Sequence, residues 1–302
     1  MNIRNKIREE LASAMQTKEK YSPEYKYYLK DWHDNVFSEM SKKHETMFNE
    51  GSGSELVDKT IPAKAKAIDS SSMLSYNFFS WIDKENYLLI DNVVYDKVFF
   101  EVKLKTLEKS NQPANIDVVL VSKDEKTVMF IESKFTEYLE SSNDKLSISY
   151  QNNEKYFHDN DYVQDLTSLA EQYKNIKGRY NYGIKQNICH LIGISNIKYS
   201  DSAKDVFKKQ YNGKDELCIL NADKLVFRNL IFASDIQEGY NLFDKYKKDL
   251  YTFRETLPNS LSCFVDDNFV MSYRELYNKL KQSGLSEERL KYLEKRYINF
   301  HK

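Results

Sequence analysis

The sequence contains few of the residues on which zinc ribbons, disulfide frameworks and phosphate-binding loops depend. Three of its 302 residues are cysteines, and no Cys-x-x-Cys pair occurs, which excludes a zinc ribbon and a disulfide framework. We expect Cys189, Cys218 and Cys263 to lie in or near the core. The eight glycines form no phosphate-cradling loop, and the five histidines form no His-x-x-x-His or Glu-x-x-His pattern.

The sequence also has no large net charge and no long apolar run. Lys and Arg number 45 against 46 Asp and Glu, so any surface that binds nucleic acid has to be local. No apolar run approaches roughly eighteen residues, and the N-terminal segment is too charged for a signal peptide. We therefore expect a cytoplasmic protein without a membrane partner. With 41% hydrophobic and 14% aromatic residues, the chain can form a sizeable core.

The most informative stretch is a predicted β-hairpin. Residues 116–121 and 128–135 are short runs of β-branched and aromatic residues, and a polar turn at 122–127 separates them. Counting outward from the middle of that turn brings Asp117 opposite Glu132. Like charges that are directly opposed across two strands destabilise the pair, so we expect a cation between them. A site made only of oxygen ligands suits Mg²⁺ or Mn²⁺.

Strand alternation adds a third chemical group to this predicted pair. Glu132 and Lys134 are two residues apart and therefore face the same side, whereas Ser133 faces the other. Charged side chains at the end of an apolar strand are costly unless something compensates them. The hairpin thus predicts two carboxylates and one ammonium on one face. The alternative is an ordinary half-exposed strand with a solvated ion pair.

The spacing of these residues resembles the active-site signature of the PD-(D/E)XK nuclease superfamily. Asp117 is followed after fourteen residues by Glu132 and then by Lys134, with Ile116 in place of the proline of the name. A wider set of motifs is similar to one branch of that superfamily, a group of restriction-endonuclease-like bacterial proteins. These motifs are Gly51-Ser-Gly-Ser-Glu-Leu56, Ser70-Ser-Ser-Met-Leu-Ser-Tyr-Asn-Phe-Phe79, Phe100-Glu101, Asn115-Ile-Asp117 and Ile131-Glu-Ser-Lys-Phe-Thr-Glu137.

The resemblance implies a fold and an activity. The fold is of the α/β (α+β) class, with an αβββαβ core in which helices flank a central mixed sheet. The activity is Mg²⁺-dependent hydrolysis of DNA phosphodiester bonds, with Mn²⁺ as a substitute and defence against foreign DNA as the role. Two alternatives remain open: an inactive DNA-binding or scaffold protein of the same fold, and a nuclease that cleaves RNA.

The resemblance also implies roles for particular residues. Asp117 and Glu132 would hold one or two metal ions together with the main-chain carbonyl of Ser133. Lys134 would position the attacking water or stabilise the charge that develops on the phosphate.

Three further residues are candidates for the same site. Members of the superfamily commonly add an acid from a helix before the sheet, and Glu55 is the best match for it. The other candidate acid is Glu101, on a predicted strand at 98–104, although its Glu-x-Lys motif with Asp91 also forms a second, weaker match to the signature. Gln172, on a predicted helix after the hairpin, is the polar residue that such helices often present to the site.

Three regions are predicted along the chain. Residues 1–50 form a helical N-terminal appendage, residues 51–200 form the nuclease core, and residues 201–302 form a helix-rich addition. The last strand of the core is predicted at 187–195. Beyond it we expect a short strand at 217–220 and helices at 236–254, 272–283 and 286–299. Target recognition and formation of a homodimer are the open alternatives for this C-terminal region.

Overall fold

A six-stranded mixed sheet flanked by helices forms the centre of the described structure. The computed structural model describes residues 2–15, 20–51, 55–59, 61–110, 112–140, 146–175 and 183–299. The strands, in their order across the sheet, are β1 Leu88–Ile90, β2 Val93–Leu104, β3 Ala114–Ser122, β4 Thr127–Lys134, β5 Lys224–Ile231 and β6 Val270–Ser272. The first four strands pair antiparallel, and β4, β5 and β6 run parallel. The predicted α+β class is confirmed at this general level.

The α-helices are distributed over both faces and both ends of the sheet. They are α1 Ile3–Ala14, α2 Lys42–Glu50, α3 Ser71–Phe79, α4 Val163–Asn175, α5 Ile184–Tyr199, α6 Asp201–Gln210, α7 Gln237–Glu255, α8 Asn259–Ser262, α9 Tyr273–Leu280 and α10 Glu287–Leu293. The predicted helices at 236–254, 272–283 and 286–299 are confirmed as α7, α9 and α10. No helix in the described ranges is long and apolar enough to cross a membrane.

The predicted hairpin forms in the predicted register. Val118 pairs with Ile131 and Val121 with Val128, so the next positions outward are Asp117 and Glu132. Both strands are buried on both faces through residues 118–121 and 128–131, as expected of covered central strands. Their ends therefore hold the charged side chains against the layers that cover the sheet.

Different helices cover the two faces of the hairpin. α5 lies over the face to which Glu132 points, because His190 of α5 contacts that carboxylate. The opposite face meets α3 and α9: the Ser133 hydroxyl lies 2.6 Å from the hydroxyl of Tyr273 and 3.4 Å from the carbonyl oxygen of Ser71. The expectation that Ser133 faces away from Glu132 and Lys134 is confirmed.

The predicted strand at 187–195 is wrong, because these residues form the middle of α5. A continuous apolar run is compatible with a buried strand and with a buried helix, and periodicity alone does not separate them. α5 is buried on nearly all sides and approaches β2 closely: a Cβ atom added at Gly193 would lie 2.7 Å from Cβ of Leu104. The run is apolar because the helix is enclosed.

The strand that lies parallel to β4 is β5, and it comes from beyond residue 200. The sheet therefore crosses the predicted boundary between the core and the C-terminal region. The predicted strand at 217–220 is also wrong, since Asp215–Asn221 form a 3₁₀ helix. The C-terminal region was predicted to be an addition to the core, but its strands β5 and β6 complete the sheet.

The N-terminal residues pack on the same body. Between α1 and the 3₁₀ helix Trp32–Asn35, the chain forms isolated bridges that join Tyr21 to Leu29 and Tyr28 to Ala67. The predicted helical appendage is thus partly helical, in α1, this 3₁₀ helix and α2. Cys189 and Cys218 are half-buried, and Cys218 packs against the core as predicted, whereas Cys263 is exposed.

Candidate active site

Three carboxylates lie in one row across the sheet. Phe100 pairs with Val118 and Val102 with Ile116, so Glu101 of β2 stands opposite Asp117 of β3. The hairpin register places Asp117 opposite Glu132 of β4 in turn. Residues opposite each other point to the same side of a sheet. The register therefore brings three acidic residues to neighbouring positions across the sheet, and of these Glu132 contacts α5 through His190.

Glu132 is fully buried, and each of its oxygens has a partner. Oε1 accepts a hydrogen bond from Nζ of Lys134, and Oε2 lies 2.6 Å from Nε2 of His190. Burial acts to raise the pKa of Glu132, but the charge of Lys134 and the contact with His190 outweigh it, so the pKa lies below its ordinary value. Glu132 is therefore held as a carboxylate between two nitrogen groups.

Asp117 lies partly exposed on the wall of the neighbouring cavity. Its Oδ2 accepts a hydrogen bond of 2.6 Å from the main-chain N–H of Ser133. Burial and the charge of Glu132 raise the pKa of Asp117 well above its ordinary value, against the opposing effect of Lys134. Because burial and Glu132 both disfavour the charged carboxylate, the ionised form of Asp117 is costly.

Glu101 combines burial with an unusual backbone conformation. Its φ angle is 52°, in the left-handed region that costs a residue with a side chain roughly 1–2 kcal/mol. Burial and the charge of Glu55 raise the pKa of Glu101 to about 8. A costly backbone conformation on a buried acid is typical of functional sites, and it favours Glu101 as the third acid.

Glu55, the other candidate acid, has a different environment. Residues 55–57 form bends and not a helix, so the predicted helical position is wrong, while residues 52–54 of the same motif lie outside the described residues. Its two carboxylate oxygens accept hydrogen bonds of 2.7 Å from Lys64 Nζ and 2.6 Å from Ser72 Oγ. Glu55 therefore stabilises the start of α3 and lies beside the row of acids.

Gln172 is not part of this arrangement. It is exposed on α4 and does not line the cavity beside Asp117. α5 supplies the polar residues instead: Lys185, Gln186 and His190 all line that cavity. His190 is not among the residues predicted from the sequence, because the apolar run around it was assigned to a strand. Helical spacing of polar residues at 186 and 190 within the apolar run was the available signal.

The row of acids opens into a cavity of about 810 Å³. The cavity is lined by α1, α3, the ends of β3 and β4, and the first turns of α5. Its charged lining residues are Arg4, Arg8, Glu55, Lys64, Asp69, Glu101, Asp117, Lys134, Glu137 and Lys185. Glu132 lies behind Lys134 and His190 and does not itself line the cavity.

The row has oxygen donors and an excess of negative charge, which hard divalent cations prefer. Four carboxylates influence one another electrostatically: those of Glu55, Glu101, Asp117 and Glu132. Two ammonium groups, of Lys64 and Lys134, lie among them, so the negative charges exceed the positive charges by two. In the described residues, however, no group of three or more His, Cys, Asp or Glu side chains is arranged to hold a metal ion. Metal binding by Glu132 therefore requires this carboxylate to exchange its contact with Lys134 or His190.

No family model matches the chain, and the comparisons with curated proteins and with solved structures also found no match.

The raised pKa of Glu101 predicts a pH dependence of stability. Because the ordinary pKa is 4.5 and the value in the fold is about 8, the unfolded chain loses this proton first. The contribution of Glu101 to the free energy of unfolding therefore falls as the pH rises between these two values. We expect Glu101→Gln to remove this decrease, measured by urea unfolding across that range. Glu287→Gln, at an exposed position on α10, is the control, and an unchanged pH profile for Glu101→Gln would contradict the assignment.

Proposed function

We propose that the protein is a metal-dependent deoxyribonuclease that hydrolyses DNA phosphodiester bonds. The observation that carries this proposal is the row of Glu101, Asp117 and Glu132 with Lys134 at the edge of the cavity. Three acids with an ammonium two residues after the last of them are the groups that such a reaction requires.

The chain order supports the same proposal. α3, β2, β3, β4, α5 and β5 occur in the order α, β, β, β, α, β, with β1, α4 and α6 as additional elements between them. β2, β3 and β4 are antiparallel and β5 is parallel to β4. This is the order that the resemblance to restriction-endonuclease-like proteins implies, with β5 in place of the strand expected at 187–195.

Mg²⁺ would bind to Asp117, Glu132, Glu101 and the main-chain carbonyl of Ser133. When bound, it would lower the pKa of a water molecule and offset negative charge on the phosphate. The Lys134 ammonium, once released from Glu132, orients the attacking water or stabilises the negative charge on the phosphate oxygens. The water oxygen forms a bond to phosphorus while the bond from phosphorus to the leaving sugar oxygen breaks. A phosphate monoester and a hydroxyl group are the products.

His190 has a positioning role in this proposal. It holds one oxygen of Glu132 at 2.6 Å and packs edge-on against Phe227 with a centroid distance of 5.7 Å. A buried imidazole in contact with one carboxylate oxygen restricts the orientation of that carboxylate.

The direct test is incubation of the purified protein with DNA and Mg²⁺ or Mn²⁺. Cleavage that a chelator abolishes supports the proposal, and the same assay on RNA distinguishes the two substrates. Absence of cleavage of any nucleic acid with either metal would favour the inactive DNA-binding or scaffold alternative.

Metal binding is expected to stabilise the fold, because a divalent cation offsets the repulsion among the carboxylates of the row. At a hundredfold excess over the Kd, binding to the native state alone adds about 2.7 kcal/mol. For a chain of this length that corresponds to a rise in Tm of about 4 °C. The measurement is thermal unfolding with increasing Mn²⁺. No rise in wild type, or an equal rise in Asp117→Asn, would contradict a metal site at these residues.

A further inference from the structure

We infer that the cavity accepts an unpaired polynucleotide strand in preference to an intact duplex. This inference rests on the proposed function and specifies the form of its substrate. It follows from the depth of the acids, from the size of the cavity and from the aromatic and cationic side chains on its wall.

Asp117, Glu101 and Lys134 line the cavity, and Glu132 lies behind Lys134 and His190. Glu132 is fully buried, and Lys134 and Glu101 are 5% and 8% exposed. A scissile phosphate can approach Asp117 and Lys134 only if the nucleic-acid backbone enters the cavity. In a duplex, the second strand and the stacked bases accompany every phosphate. Access to a buried site is therefore less costly for a strand that is already unpaired.

The volume of the cavity fits a few nucleotides of one strand. Protein pockets for small molecules and cofactors measure roughly 300–1,000 Å³, and this cavity has about 810 Å³. Elements from distant parts of the chain stand around it: α1, the start of α3, residues 146–150 and α5. We expect a space of this size to admit nucleotides of one strand more readily than a paired helix.

Two tyrosines provide aromatic surfaces on the wall. Tyr28 and Tyr150 both line the cavity and are half-buried. The Tyr150 hydroxyl lies 2.9 Å from Oγ1 of Thr106, and its main-chain carbonyl accepts a hydrogen bond of 2.7 Å from Tyr156. Tyr28 is held by its bridge to Ala67. Unpaired bases stack on such fixed rings, whereas the bases of a duplex are already stacked on one another.

Cationic side chains stand on the same wall. Arg4 and Arg8 of α1 both contact the carboxylate of Asp69, at 3.0 and 2.8 Å, and Arg4 also pairs with Glu140 at 2.7 Å. Lys185 adds a cation from the first turn of α5. Phosphate groups of a bound strand can share these donors, because a guanidinium carries five N–H groups and these carboxylates engage only some of them.

The test compares three forms of one sequence: a single-stranded oligonucleotide, its blunt duplex, and the same duplex with a central unpaired bubble. We expect wild type with Mg²⁺ to cleave the single strand and the bubble at least roughly tenfold faster than the duplex. A matching single-stranded RNA identifies the polymer. Faster or equal cleavage of the blunt duplex would overturn the inference while leaving the nuclease proposal intact.

Binding gives a second readout that does not depend on catalysis. With Asp117→Asn and no added metal, fluorescence anisotropy should show roughly tenfold tighter binding of the single strand than of the duplex. Tyr150→Leu should weaken single-strand binding about tenfold and leave duplex binding nearly unchanged. Tyr240→Leu, at an exposed position on α7, is the control. Equal affinities for single strand and duplex, or equal effects of the two tyrosine substitutions, would overturn the inference even in a protein without cleavage activity.

Discussion

Replacement of Asp117 by Asn is expected to abolish DNA cleavage and to raise the melting temperature. Cleavage should fall by roughly a thousandfold or more, because groups that act together in a catalytic site lose most of the rate when one is removed. Stability should increase because burial and Glu132 disfavour the ionised form of Asp117, and the amide carries no charge. Each kcal/mol gained raises Tm by about 1.5 °C in a chain of this length.

Cleavage rates and thermal unfolding, both without metal and with Mn²⁺, measure these two effects. Asp205→Asn is the matched control, since Asp205 forms an exposed ion pair with Lys208 on α6. Its removal should leave activity unchanged and stability within about 0.5 kcal/mol. If Asp117→Asn melts below wild type, Asp117 stabilises the fold and the proposed repulsion is absent. If it cleaves at a normal rate, Asp117 is not part of the site.

Replacement of Lys134 by Met is expected to abolish cleavage and, in contrast, to destabilise the fold. Lys134 is buried against Glu132, and removing one partner of a buried ion pair typically costs about 3–5 kcal/mol. From the sequence alone, Lys134 appears only as a catalytic residue at a strand end, whose loss would leave the fold intact. The buried pair corrects this expectation, because Glu132 would lose one of its two nitrogen partners.

Urea unfolding measures the effect, and a double-mutant cycle isolates its cause. Glu132→Gln combined with Lys134→Met should be less destabilised than the sum of the two single variants, since no lone charge remains buried. Lys204→Met removes an exposed pair with Asp201 and should cost less than about 1 kcal/mol. Additive effects at residues 132 and 134 would show that the two side chains are not energetically coupled.

The hairpin and its three charged side chains were predictable from the sequence because they depend on local rules. Strand alternation and the symmetric count around the turn require only neighbouring residues. Asp117, Glu132 and Lys134 therefore appear in the structure on the face and in the register that the sequence predicted. α7, α9 and α10 were predictable for the same reason, since caps and helical spacing are local signals.

The role of Glu101 depends on long-range pairing. Its distance from Asp117 along the chain carries no information about which residues of β2 and β3 face each other. The register of these two strands places Glu101 beside Asp117. The carboxylate of Glu55 instead accepts hydrogen bonds from Lys64 and Ser72. The sequence left both acids as candidates, and only the tertiary structure separates them.

The sequence by itself determined the hairpin, its acid pair and the lysine beside it. The tertiary structure decided that residues 187–195 are helical, that β5 enters the sheet from beyond residue 200, and that His190 rather than Gln172 approaches the acids. The physical reason is burial. An apolar run satisfies its hydrogen bonds either within a helix or with a neighbouring strand, and the choice depends on which partners the folded chain brings beside it.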